Sequence, residues 1–127
     1  MGVDFIMVRP SHKELNGKLQ AALEFVLANR IKLVEPEVIV NDATILGYSI
    51  EHELQIVLLD LLNNTGPEHY AGHQPPERSY ETLIRDLELW PFSVMCTRLS
   101  TRIYYKFSLY GETFYLVSLH ACASQGK

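Results

Sequence analysis

The alternation of apolar and polar side chains between Met95 and Ala123 is the feature that most constrains the fold. Before Gly111 the apolar residues fall on odd positions from Ile103 to Leu109, whereas the even positions are mostly polar. After Gly111 the apolar residues continue to Leu119. A period of two indicates β-strands, and a glycine between them indicates a tight turn. We therefore predict a β-hairpin.

The length of the turn decides which side chains share a face. A two-residue turn would pair odd with even positions and set apolar residues opposite charged ones. A three-residue turn, Tyr110–Glu112, pairs Leu109 with Thr113 and Arg102 with His120. Only that register gives one apolar face, because a one-residue slip turns every side chain to the other side. The residues that it places on the polar face are Arg102, Tyr104, Lys106 and His120.

Three helical segments are predicted before the hairpin. Ser11 and Glu14 have the spacing of a capping box ahead of an apolar repeat at helical period. Pro36 suits a first helical turn, and Gly47 suits the end of that segment. Ser49 suits the N-cap of the third helix. The predicted helices are about His12–Asn29, Pro36–Leu46 and Ile50–Asn63.

The order of elements predicts an α+β fold in which N-terminal helices pack on a C-terminal antiparallel sheet. Arg30–Val34 alternates and predicts a short strand. Tyr80–Leu87 predicts a further short helix with Ser79 as its cap. A chain of 127 residues with 47% apolar residues suits one domain with a real core, spanning 1–127.

Charge is unevenly distributed along the chain. The net charge is −4, which argues weakly against a nucleic-acid-binding protein. Residues 98–127, however, carry four basic side chains against Glu112 alone. Such a basic segment on an acidic body can attract an anionic ligand, although a chance distribution is an open alternative. Two cysteines cannot form a secreted-type framework, and no apolar run reaches about 18 residues, so we expect a cytoplasmic protein.

The segment Glu68–Tyr80 reads as a loop that is rich in groups capable of chemistry. His69 and His73 have the i, i+4 spacing of metal ligands on a helix, but Gly72 and two prolines disfavour a helix there. No third ligand stands out, so no metal or other cofactor is expected. His73 and Arg78 are the candidates for a functional role in this loop.

The chain resembles the MqsR-type toxins of toxin–antitoxin modules, within the RelE-like RNA interferase superfamily. The resemblance covers roughly residues 19–120 and rests on the order and spacing of its matching stretches. These stretches are Ala43–Ser49, the helix that follows, Glu68–Tyr70, Trp90, Arg98–Leu99, Ile103–Phe107 and Leu116–His120.

This resemblance implies a single RelE/MqsR-like domain that cuts mRNA without a metal, alone or on the ribosome, and is restrained by an antitoxin protein. Whether the protein forms a homodimer is an open question at this point. The family's active-site tyrosine falls at Tyr104, and its last lysine falls at His120. Its first lysine falls near Ala71, and its glutamine near Pro91 or Phe92, so two family groups are replaced.

Metal-free RNA cleavage needs a base, an acid and cations that stabilise the phosphorane. His120 is the candidate general acid or base, Tyr104 the orienting or stacking residue, and His73 the second acid or base. The candidate phosphate-binding residues are Arg98, Arg102, Lys106 and Arg78. A catalytically degenerate RNA-binding domain and a protein-interaction domain remain alternative hypotheses.

Overall fold

The computed structural model describes residues 8–122 of the chain. Ala123, the last residue of the predicted hairpin, lies outside that range. Within it the protein is α+β, with three α-helices ahead of most of a four-stranded sheet. The elements are α1 His12–Leu27, β1 Ile31–Leu33, α2 Pro36–Leu46, α3 Ile50–Asn63, β2 Trp90–Cys96, β3 Thr101–Tyr110 and β4 Thr113–Ala121.

The predicted caps set the ends of the helices. The Ser11 hydroxyl accepts a hydrogen bond from the Glu14 N–H at 3.0 Å, which satisfies a free donor at the start of α1. The Ser49 hydroxyl does the same for the His52 N–H at 3.2 Å in α3. Gly47 ends α2 with φ of 85°, a left-handed conformation that glycine adopts without steric cost.

The sheet has the strand order β1-β4-β3-β2. β2, β3 and β4 are antiparallel neighbours, as predicted for the C-terminal half. β1 pairs parallel with β4, so the sheet as a whole is mixed, and the predicted antiparallel arrangement holds for β2, β3 and β4 only. A parallel pair needs a long connection, and here most of the chain lies between the two strands.

The predicted three-residue turn is wrong. Tyr110 pairs with Thr113 across a two-residue turn of Gly111 and Glu112, both with positive φ. The ladder then shifts between Lys106 and Phe107, where β4 carries one residue more than β3. Beyond this bulge, even positions of β3 face even positions of β4, as the predicted register requires. Arg102, Tyr104, Lys106 and His120 therefore share a face as predicted, although Tyr104 and not Arg102 lies opposite His120.

The inner face of the sheet packs against the helices. The odd positions 103–107 of β3 and residues Phe114, Leu116 and Leu119 of β4 are fully buried in one core with the apolar faces of α1, α2 and α3. Its largest fully buried strand residues are Trp90, Phe92, Ile103, Tyr105, Phe107, Phe114, Leu116 and Leu119. Among residues 8–122, no helix is long and apolar enough to cross a membrane.

The opposite, outer face is covered over only part of its length. The segment 77–89 folds over the end nearest the turn, where Ile84 and Leu89 form a second apolar cluster with Val117. The predicted helix Tyr80–Leu87 is wrong, since only Thr82–Ile84 forms a 3-10 turn. Backbone hydrogen bonds between Ser79 and both Asp86 and Leu87 fold the segment back on itself instead.

Candidate functional site

The uncovered part of the outer face holds most of the candidate residues, and we call it the open face. It follows the even positions of β3 beyond the bulge together with their neighbours on β2 and β4. Its members are Ser93, Met95, Arg102, Tyr104, Lys106, Ser118, His120 and Cys122. Strand alternation sets them apart from the buried odd positions of β3.

Tyr104 and His120 form a stacked pair at the centre of the open face. They lie directly opposite each other on β3 and β4, and their ring centroids are 5.2 Å apart with planes inclined at 24°. The bulge creates this pairing, because it moves His120 opposite Tyr104. Flat, half-buried rings of this kind can stack against a nucleobase.

The Tyr104 hydroxyl is a proton donor at neutral pH. Burial of the ring raises the pKa of Tyr104 above its ordinary value of 10.0, and the negative charge of Glu77 adds to the shift. Glu77 belongs to the segment that folds over the outer face. The phenol therefore stays protonated over the physiological range.

The His120 ring makes one hydrogen bond with the backbone. Its Nδ1 lies 2.9 Å from the carbonyl oxygen of Ala121. A carbonyl oxygen only accepts, so Nδ1 carries the proton in this contact, and in the neutral ring Nε2 is then the proton acceptor. A histidine held in this tautomer can act as a general base.

Arg102 is exposed at the far end of the open face. It lies opposite Met95 on β2, and its Nη1 is 3.5 Å from the carbonyl oxygen of Ser93. Such a long contact is weak and leaves the guanidinium available to an anion. On the side of β3 that faces β4, the Cys122 N–H donates to the Arg102 carbonyl.

Lys106 is half-buried two residues along β3 from Tyr104. It lines a cleft of about 250 Å³ between the sheet and the segment 77–81, together with Glu77 and Glu81. Arg78 lines the same cleft, so two basic and two acidic residues border it.

The structure does not bring the remaining candidates into the open face. Arg98 lies in the β2–β3 turn, and its guanidinium contacts the Glu53 carboxylate of α3 at 3.4 Å. The Arg78 Nη1 donates to the Asp86 carbonyl at 2.9 Å and braces the folded segment. The exposed His73 ring pairs with Glu77, with 3.5 Å between Nε2 and Oε2.

Sequence reasoning missed Glu77 and Glu81 as neighbours of the site. Neither lies in a periodic segment, so no pattern connected them to Lys106. Ser93 and Cys122, which touch through their hydroxyl and thiol at 3.2 Å, were also not assigned to the face. Their strand positions carried a usable signal, because alternation along β2 and β4 places both beside Tyr104 and His120.

No group of three or more His, Cys, Asp or Glu side chains between residues 8 and 122 is arranged to hold a metal ion. Comparisons with protein-family models, with curated proteins and with solved structures found no match to this chain.

Proposed function

We propose that this protein is a metal-independent endoribonuclease that cuts single-stranded mRNA on the open face. The stacked pair of Tyr104 and His120 is the observation that carries the proposal, because it sets a base, a donor and a stacking surface side by side. Arg102 and Lys106 flank this pair along the same strand.

The proposed reaction is an internal transesterification. His120 Nε2 removes the proton of a ribose 2′-hydroxyl, whose oxygen attacks the adjacent phosphorus. Arg102 and Lys106 stabilise the charge that develops on the phosphorane. The bond to the 5′-oxygen then breaks, and that oxygen takes a proton from the Tyr104 hydroxyl. The products are a 2′,3′-cyclic phosphate and a free 5′-hydroxyl. Proton exchange with water then removes the extra proton from His120 and returns a proton to the Tyr104 oxygen.

Tyr104 suits the acid role because a phenol, even with a raised pKa, is more acidic than the alcohol that leaves. His73 was the predicted second acid or base. It stays a prediction, since its ring is exposed and paired with Glu77.

Substitution of His120 tests this reaction. A 5′-labelled single-stranded RNA, incubated with EDTA, is expected to yield 2′,3′-cyclic phosphate ends. His120→Ala should slow cleavage by about 10²–10⁴-fold, the usual contribution of a positioned acid or base. His52→Ala is the matched control, because His52 is an exposed histidine of α3.

Two outcomes contradict the proposal in different ways. Undiminished cleavage by His120→Ala would overturn the site. Absence of cleavage by the unmodified protein, both alone and with translating ribosomes, would overturn the enzymatic function.

We further propose, on the resemblance to MqsR-type toxins, that cleavage arrests translation and is restrained by an antitoxin protein. Induced expression of the unmodified protein should stop growth, whereas His120→Ala should not. Growth arrest by both proteins would show that toxicity does not depend on the proposed site.

Binding without cleavage is the second candidate function. The carboxylates near Lys106 and the pairing of Arg98 with Glu53 favour it, because both leave less positive charge to stabilise the phosphorane of a cleavage reaction. In this case the protein binds RNA in a salt-dependent manner and releases it intact. A protein partner on the same face would instead bind without RNA.

A further inference from the structure

The cleft beside Lys106 combines an apolar lining with opposite charges. The side chains of Leu89 and Val117, each 8% exposed, line its apolar part. Two acidic and two basic residues line its polar part: Glu77, Glu81, Arg78 and Lys106. An apolar surface bordered by a few charged groups is the usual form of a small-ligand site.

The two charges do not neutralise each other. Although both line the same cleft, Glu81 and Lys106 form no salt bridge with each other or with any other of the residues 8–122. Glu77 differs, because its carboxylate is paired with His73. Arg78, the second basic residue of the cleft, donates from Nη1 to the Asp86 carbonyl. The half-buried residues Glu81 and Lys106 therefore line a shared cleft without ion-pair partners, and a ligand can bridge them if it offers donors to one and an acceptor to the other.

Among the RNA bases, guanine meets that requirement best. Its N1–H and N2 amino group are adjacent donors that a single carboxylate accepts together, and its O6 is an acceptor that suits lysine. Adenine and cytosine present one amino group, and uracil presents one ring N–H. Removal of a donor that faces a charged acceptor costs more than removal of a neutral contact.

We propose that this cleft is a guanine-binding subsite, in which Glu81 accepts from N1–H and N2 and Lys106 donates to O6. The proposal rests on the proposed function, because the base belongs to an RNA strand on the open face. Lys106 is two residues from Tyr104, or about 7 Å along the strand. A guanine in the cleft is therefore next to a nucleotide stacked on Tyr104 and His120.

Binding of mononucleotides to the full chain tests the subsite independently of cleavage. Guanosine 5′-monophosphate and inosine 5′-monophosphate differ only in the 2-amino group, and NMR titration gives their dissociation constants. We expect inosine monophosphate to bind roughly tenfold to a hundredfold more weakly. Glu81→Gln should remove that preference, whereas Glu51→Gln, an exposed position on α3, should retain it.

The proposal is overturned if the two nucleotides bind equally, if neither binds at millimolar concentration, or if Glu81→Gln keeps the preference. Equal thermal unfolding of the two variants confirms that both fold. A parallel cleavage assay separates this proposal from the function. RNA cut without regard to guanine overturns the subsite alone, and guanine preference without any cleavage overturns the enzyme alone.

Discussion

The covered and open halves of the outer sheet face both include residues of β3 and β4, yet their polar side chains differ in burial. In the covered half, the Ser108 side chain is fully buried, and its hydroxyl donates to the Glu88 carbonyl at 2.7 Å. In the open half, Ser118 and Tyr104 stay partly exposed. The difference lies in the segment 77–89, which covers one half and stops at the cleft beside Lys106.

This difference separates stability from function. The covered half contributes apolar burial and a satisfied buried hydrogen bond, both of which stabilise the folded chain. Side chains of the open half are exposed or only partly buried, so their loss should affect binding more than folding. Paired substitutions in the two halves can test that separation.

Truncation of Ile84 should have the largest effect. Ile84 is 1% exposed in the covered half, and Ile84→Ala removes buried apolar contacts and leaves a cavity. The free energy of unfolding should fall by about 2–5 kcal/mol. Urea denaturation measures this, with Leu83→Ala as the control, because Leu83 is 52% exposed in the same 3-10 turn. Equal losses for the two variants would show that the segment is not anchored by Ile84.

Loss of the Ser108 hydroxyl should have an intermediate effect. Ser108→Ala leaves the Glu88 carbonyl without this donor and should reduce the free energy of unfolding by about 1–3 kcal/mol. Ser118→Ala on the open half should change it by less than about 0.5 kcal/mol. Thermal unfolding compares the two serines directly. A larger loss at Ser118 would contradict the division between the halves.

The smallest effect concerns the salt dependence of RNA binding. If Arg102 contacts one phosphate, Arg102→Ala should reduce the slope of log binding constant against log salt concentration by about 0.7, the value for a single strand. Arg98→Ala should leave the slope unchanged, because Arg98 is paired with Glu53 on the helix side. Fluorescence anisotropy at several salt concentrations gives both slopes. A reduction at Arg98 alone would place the RNA outside the open face.

The helices were predictable because local signals set them. Ser11, Ser49 and Gly47 act within one helical turn, so their chemistry is visible without knowledge of the rest of the fold. The segment 80–87 misled the same reasoning. Its apolar spacing suits a helix, but Ile84 is buried against the sheet, and that contact is not encoded locally.

The hairpin register was not predictable from alternation alone. The predicted three-residue turn assumed one apolar face, but residues 114–117 of β4 are apolar without alternation because both faces of that segment are covered. Tyr115 and Val117 face the second cluster, whereas Phe114 and Leu116 face the helices. Only the position of the segment 77–89 explains this arrangement.

The candidate site could be predicted in part for the same reason. Strand alternation brings Tyr104, Lys106 and His120 together, because the bulge restores the predicted pairing of even positions with even positions. Side chains of turns and loops follow no such rule. Arg98 and His73 therefore form ion pairs with Glu53 and Glu77, away from the open face. No sequence pattern predicts that Glu81 lines the cleft.

The extra residue of β4 has a consequence for how this chain tolerates changes in length. Val117 lies at the bulge, so a deletion of that residue would give an uninterrupted ladder in which each remaining side chain keeps its face. β3 has no extra residue, so a deletion there would move the side chains of part of the strand to the opposite face of the sheet. Single-residue deletions in homologues or designed variants should therefore be tolerated at the bulge of β4 and rejected within β3.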